Sequence, residues 1–177
     1  MKNKKTIFFL TIAVLTATSL IINSCKKDNQ NSVETLLTRG KWQLASVMVY
    51  NFLGSSQVGT TDTLNTNCDS TQIFSFNTNN TCTYSNFECI PQKSSGNWTL
   101  SSDQLTLISN MTAIDTATDG TGKIEPVPGK PFQNTKIVNL GQYSLVLQTG
   151  DINTFVTATT KRRIVQYGFV HQSASSQ

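Results

Sequence analysis

Cysteine thiols, one imidazole and ten carboxylates are the side chains of this 177-residue chain that could do chemistry. Their spacing rules out most of it. A nucleophilic triad needs a base next to the nucleophile, and the single histidine, His171, lies in a polar tail. The acidic residues fall mostly in predicted turns, so a working carboxylate pair is not expected. Gly120-Thr121-Gly122-Lys123 suggests a phosphate loop, but Ile124 stands where Ser or Thr is required and the glycine spacing is wrong. Asp115 and Asp119-Gly120 resemble the start of a calcium loop but lack its bidentate Glu. With no C-x-x-C pair and a remote histidine, zinc is not expected either. The sequence therefore predicts no catalytic residue, no metal and no cofactor.

Thiol chemistry remains. Asn79-Asn80 marks a turn between two strand-like runs, and Cys68 and Cys89 lie at similar distances on either side of it. They face each other across that hairpin. Cys82 falls opposite Ser75 or Phe76, on the other face, because side chains alternate along a strand. The register predicts a Cys68–Cys89 disulfide and a buried, unbridged Cys82 beside Phe74, Phe76 and Tyr84, with three separate thiols as the competing reading. A bridge of this loop length contributes roughly 3 kcal/mol and implies an oxidising compartment.

Cys25 has a different setting. Lys2, Lys4 and Lys5 precede an apolar run from Ile7 to Ile22, and Ile22-Asn23-Ser24-Cys25 then resembles the bacterial lipobox. Such signals are cut before the cysteine, whose thiol is diacylated. Residues 1–24 are thus expected to be an export signal, and 25–32 a lipidated cysteine and tether. The competing reading, an uncleaved spanning helix, needs roughly 20 apolar residues, and this run is shorter and interrupted by Thr and Ser. Two or three acyl chains hold a protein stably on a bilayer. Removing the signal takes three of fourteen basic residues, leaving eleven against ten acidic ones. That near-neutral balance gives nucleic-acid binding no electrostatic support.

The elements that must position these residues look all-β, since Thr is abundant and helix formers are few. Ser32 caps an expected helical turn ahead of Gly40. Candidate strands follow at 42–50, 56–64, 72–77, 81–88, 96–100, 104–109, 135–140, 143–149 and 154–160, with 163–169 extending or following the last. In the first, Trp42, Leu44, Met48 and Tyr50 are expected on one face. Residues 111–132, rich in Gly and Pro, are expected to form a long loop. The domain would span 33–170, and 171–177 would be a frayed polar tail. Short antiparallel strands with tight turns favour an up-and-down barrel of about eight strands, which has no exposed edge.

Gly40-Lys41-Trp42 after a helical turn resembles the lipocalin signature. With Cys68-Asp69, Phe74-Ser75-Phe76-Asn77, Cys89 and Gly96-Asn97-Trp98-Thr99-Leu100 in order, the chain is similar to lipocalin-like domain lipoproteins of Gram-negative bacteria. The resemblance implies that Trp42 closes the barrel base beneath Arg162 or Arg163. It also implies a small hydrophobic ligand and an outer-membrane location. Met48, Tyr50, Phe76, Tyr84, Leu107, Leu147 and Phe155 are the candidate ligand-lining residues, each of which reads equally well as packed core. The alternative is an envelope interaction or inhibitor protein that uses the barrel as scaffold and the 111–132 loop as contact surface.

Overall fold

Strand β1 (Lys41–Leu53) sets the layout of the molecule. Trp42 and Leu44 are buried, and so are Val47 and Val49, an odd step that strict alternation cannot give. Against the last strand, Leu44 pairs with Phe169 and Ser46 with Gly168, so Ala45 is an extra residue. This β-bulge moves the alternation by one position. It corrects the expectation for Met48 and Tyr50. Both are half-buried on the face opposite Val47 and Val49, where the Tyr50 hydroxyl donates to the Met48 sulfur at 3.3 Å.

The computed structural model describes residues 33–64, 66–118 and 124–172. Residues 33–38 are helical. After β1 come β2 (Ser56–Gln57), β3 (Asp62–Leu64), β4 (Ile73–Phe76), β5 (Thr81–Ser85) and a 3-10 turn at Phe87–Cys89. Then follow β6 (Lys93–Leu100), β7 (Thr106–Ser109), β8 (Ala113–Thr118) and β9 (Ile124–Gly129). β10 (Thr135–Leu140), β11 (Ser144–Gly150) and β12 (Lys161–Gln172) complete the chain of strands. Cys25, Ser32 and Gly120-Thr121-Gly122-Lys123 lie outside the described residues.

Eight strands pair in the order β1-β4-β5-β6-β7-β10-β11-β12, and β12 returns to β1, so the barrel is closed. Every pairing is antiparallel. β4 covers only Lys41–Gln43 of one edge of β1, and β3 and β2 pair with Val47–Val49 and Phe52–Leu53 farther along it. All these strands lie in the compact unit Leu36–Gln177. Since its closing seam and core contacts are internal, the barrel unit can fold by itself.

Three expectations are corrected here. Residues 111–132 contain the hairpin β8–β9, a two-stranded sheet of its own. Pro126 and Pro128 are two residues apart, so their missing N–H groups fall on one edge of that ribbon. Residues 154–160 are not a strand, because β11 pairs directly with β12 and leaves them no partner. Gly150, at φ +88°, starts the turn instead. A Cβ there would sit 2.4 Å from the Arg163 carbonyl oxygen. Finally, β12 continues through His171 and Gln172, so the expected frayed tail is ordered strand at those two positions.

Candidate ligand-binding site

The middle of the barrel is filled by aromatic rings. Phe132, which follows β9, is completely buried. Its ring centroid lies 4.8 Å from Phe74, 5.2 Å from Tyr167, 5.7 Å from Tyr84 and 6.0 Å from Phe87. Phe74 also packs on Phe76 at 4.2 Å, and Phe76 meets Trp98 edge-on. The backbone N–H of Ser109 donates to the Phe132 carbonyl at 3.0 Å, tying the inserted residue to β7. Aromatic pairs in these offset and edge-on geometries add to the burial of their area.

A few polar groups accompany the rings. The Tyr84 hydroxyl donates to Gln72 Oε1 at 3.3 Å, and Cys82 Sγ lies 3.3 Å from Ser109 Oγ. Burial raises the Cys82 thiol above its ordinary value, partly offset by the Ser109 contact. Burial, joined by repulsion from Tyr167 and from Glu88, holds Tyr84 well above the usual phenol range. Tyr167 is also raised, mainly by burial and then by the carboxylates of Glu88 and Asp115. Thr135 Oγ1 is buried without a hydrogen-bond partner.

Gln72 organises the open end. Its Oε1 also accepts the Glu88 backbone N–H at 3.1 Å, and its Nε2 reaches Cys68 Sγ at 3.4 Å. The Cys68–Cys89 disulfide is present, and Cys82 is unbridged and buried. The β4–β5 ladder stops at Ile73–Ser85, so the bridge joins loops above it. Asn86, Glu88 and Cys89 all have positive φ, which turns the chain out of the strand there. Gln92 clamps the β8–β9 hairpin beside this turn, donating to the Ile114 carbonyl at 2.6 Å and accepting its N–H at 2.8 Å. A cavity of about 140 Å³ lies among Val47, Leu64, Gln72, Glu88, Cys89 and Tyr167.

A larger cleft, about 350 Å³, lies at the rim where the end of β1 meets the start of β12. It is beyond Val49 and Val165, the last buried pair of that seam. Arg162 stands opposite Phe52, its guanidinium carbon 5.0 Å from the ring centroid, within cation–π range. Nη2 of Arg162 donates to the Gly54 carbonyl at 3.2 Å.

Of the ligand-lining candidates, Phe76, Tyr84, Leu107 and Leu147 are brought together in the buried interior. Met48 and Tyr50 are turned away by the bulge. Phe155 is 84 % exposed, in the turn between β11 and β12. Trp42 is fully buried near the start of β1, with Nε1 donating to the Leu37 carbonyl at 2.9 Å. Arg162 and Arg163 do not reach it. They begin β12, and antiparallel pairing puts that end of the strand beside the far end of β1. His171 is the residue opposite Trp42. Sequence reasoning missed Phe132, Gln72 and His171. A lone aromatic between Pro131 and the β10 run was the one visible signal for the first. Among the described residues, no group of three His, Cys, Asp or Glu side chains could hold a metal.

A family model for the lipocalin-like domain matches residues 38–127, half of the chain. Comparisons with curated proteins and with solved structures returned no match. The matched stretch runs from the residues ahead of Trp42 through β8 and into β9, taking in Trp42, the disulfide and the first five strands of the barrel. This chain belongs to the lipocalin-like domain family.

Proposed function

We propose that this is a lipid-anchored binding protein of the bacterial cell envelope that takes a small apolar ligand into the open end of its barrel. Attachment through Cys25, after removal of residues 1–24, rests on the lipobox-like sequence. An outer-membrane location, in Gram-negative bacteria, rests on family resemblance. The ligand reading is carried by one observation: a closed barrel whose interior surface is aromatic and aliphatic, with Gln72 and the unpartnered Thr135 hydroxyl as polar anchors. Binding sites of this kind combine apolar walls with a few placed polar groups. The 140 Å³ cavity is small against the roughly 300–1,000 Å³ of ordinary ligand sites, so a ligand of useful size displaces Phe132.

Because Phe132 fills the interior, a second reading has support of its own: a non-enzymatic interaction protein whose β8–β9 hairpin contacts a partner. Native mass spectrometry of residues 33–177, purified without detergent from the cell envelope, separates the two. A reproducible added mass lost on unfolding supports ligand carriage. A bare mass, with no uptake of apolar small molecules on challenge, favours the scaffold.

A further inference from the structure

We propose that the rim cleft is a second binding site, for an amphipathic anion: an apolar chain carrying a carboxylate or phosphate. Its volume of about 350 Å³ falls within the range of small-molecule sites, unlike the cavity at the barrel mouth. One part of its lining is apolar, with Phe52 beside Leu53 and Val58, the last two 44 % and 50 % exposed. Leaving such side chains in water forgoes roughly 25 cal/mol for each Å² that a chain could cover.

The other part is cationic. Lys161, Arg162 and Arg163 line the cleft against a single carboxylate among its lining residues, Asp151. That carboxylate is engaged, its Oδ2 accepting the Arg163 backbone N–H at 2.8 Å. Arg162 is engaged by the Phe52 ring and the Gly54 carbonyl, so the exposed Lys161 and Arg163 carry the positive charge that the cleft presents to solvent. An anionic head group balances that excess charge, and carboxylate and phosphate are the groups that a guanidinium fork matches. The site lies beyond the last buried layer of the seam, so it does not depend on the barrel being hollow.

The test uses residues 33–177, which contain the self-contained barrel unit. Hexadecanoate and the uncharged hexadecan-1-ol are titrated calorimetrically into wild type and into the Lys161→Gln/Arg163→Gln double variant. Both positions are exposed, so the fold should persist, and a thermal melt checks this. The expected result is saturable hexadecanoate binding, weakened tenfold or more in the double variant, with the alcohol insensitive to it. A Leu53→Asn variant should weaken both ligands. A phosphatidylglycerol vesicle arm locates the anion's source: capture of these vesicles that is lost in the double variant supports the site even if monomeric hexadecanoate does not bind. No saturable binding of either anion overturns the proposal. So does equal binding by the double variant, or equal capture of phosphatidylcholine vesicles. A tenfold change in hexadecanoate affinity in Phe132→Ala would place the anion in the barrel and overturn it too.

Discussion

The imidazole of His171 stands edge-on to the indole of Trp42, centroids 5.3 Å apart and planes 83° apart, across the β1–β12 seam. The same imidazole covers Gly40, where an added Cβ would lie 2.5 Å from Nε2. His171 thus packs against both Trp42 and Gly40 at this end of the barrel. Trp42→Ala should destabilise the barrel by about 3–5 kcal/mol, as expected for removing a large buried aromatic. Trp42→Phe should cost less but still leave the Leu37 carbonyl without its donor. Urea titration of both variants measures the difference.

Phe132→Ala should cost a similar 3–5 kcal/mol and leave an apolar cavity in the middle of the barrel. Dry cavities of this type take up apolar molecules. The variant should therefore bind a small aromatic probe such as indole more tightly than wild type does, with the gain read from thermal shift. Equal shifts in both would mean that the neighbouring rings had collapsed into the space.

Reducing the Cys68–Cys89 bridge removes a constraint on the unfolded chain that links two residues 21 apart in sequence. The expected loss is about 3 kcal/mol, seen as a lower denaturant midpoint for Cys68→Ser/Cys89→Ser. Cys82 should stay unreactive to thiol reagents in the native oxidised protein and become modified only on unfolding, because it is fully buried.

Tyr84 and Tyr167 both have raised pKa values in the fold. Below pH 10 the phenols are neutral in folded and unfolded chains, and stability is indifferent to them. Above about pH 10 the unfolded chain loses those protons first, so stability falls as pH rises, by about 1.4 kcal/mol per pH unit for each tyrosine. Chemical denaturation from pH 9 to 11 should show this slope, and Tyr167→Phe should reduce it by about half.

Gly96→Ala should be strongly destabilising without any change of polarity. A Cβ at Gly96 would meet the backbone N and Cα of Met111 at 2.6 Å, and backbone cannot rotate out of the way as a side chain can. The cost should reach the 1–3 kcal/mol typical of overpacking, measured by thermal melts.

Much of the fold could be read in the sequence because its signals are local. Asn79-Asn80 fixes the β4–β5 register, which is why Cys82 could be placed opposite Phe76 from the sequence; Cys68 and Cys89 lie in loops beyond that ladder, so their bridge follows from nearness to its open end and not from strand pairing. Alternation alone was enough for Phe74, Phe76 and Leu147. The bulge at Ala45 was not legible, because it depends on which residue lies across the seam. Gly168 gives Ser46 the room it uses there, with an added Cβ lying 2.5 Å from the Ser46 hydroxyl. That one inserted residue moved Met48 and Tyr50 out of the candidate site. The placement of Phe132 was equally hidden, since an inserted loop residue has no periodicity to betray it. The roles of the Arg pair and His171 were exchanged because the last strand was expected at 154–160, which would put the Arg pair at its end, whereas β12 starts at Lys161 and the Arg pair opens it.

The β1–β12 seam, from Lys41–Gln172 to Leu53–Lys161, joins the first long strand to the last. During synthesis β1 therefore leaves the ribosome well before the strand that completes it exists. Contacts of such high sequence separation form slowly, since the loop-closure entropy must be overcome before they stabilise anything. Until then one long edge of β1 is open to pairing with another chain. The interval between making β1 and making β12 is thus the period when this protein is most exposed to aggregation, and a chain cut short before β12 would never leave it.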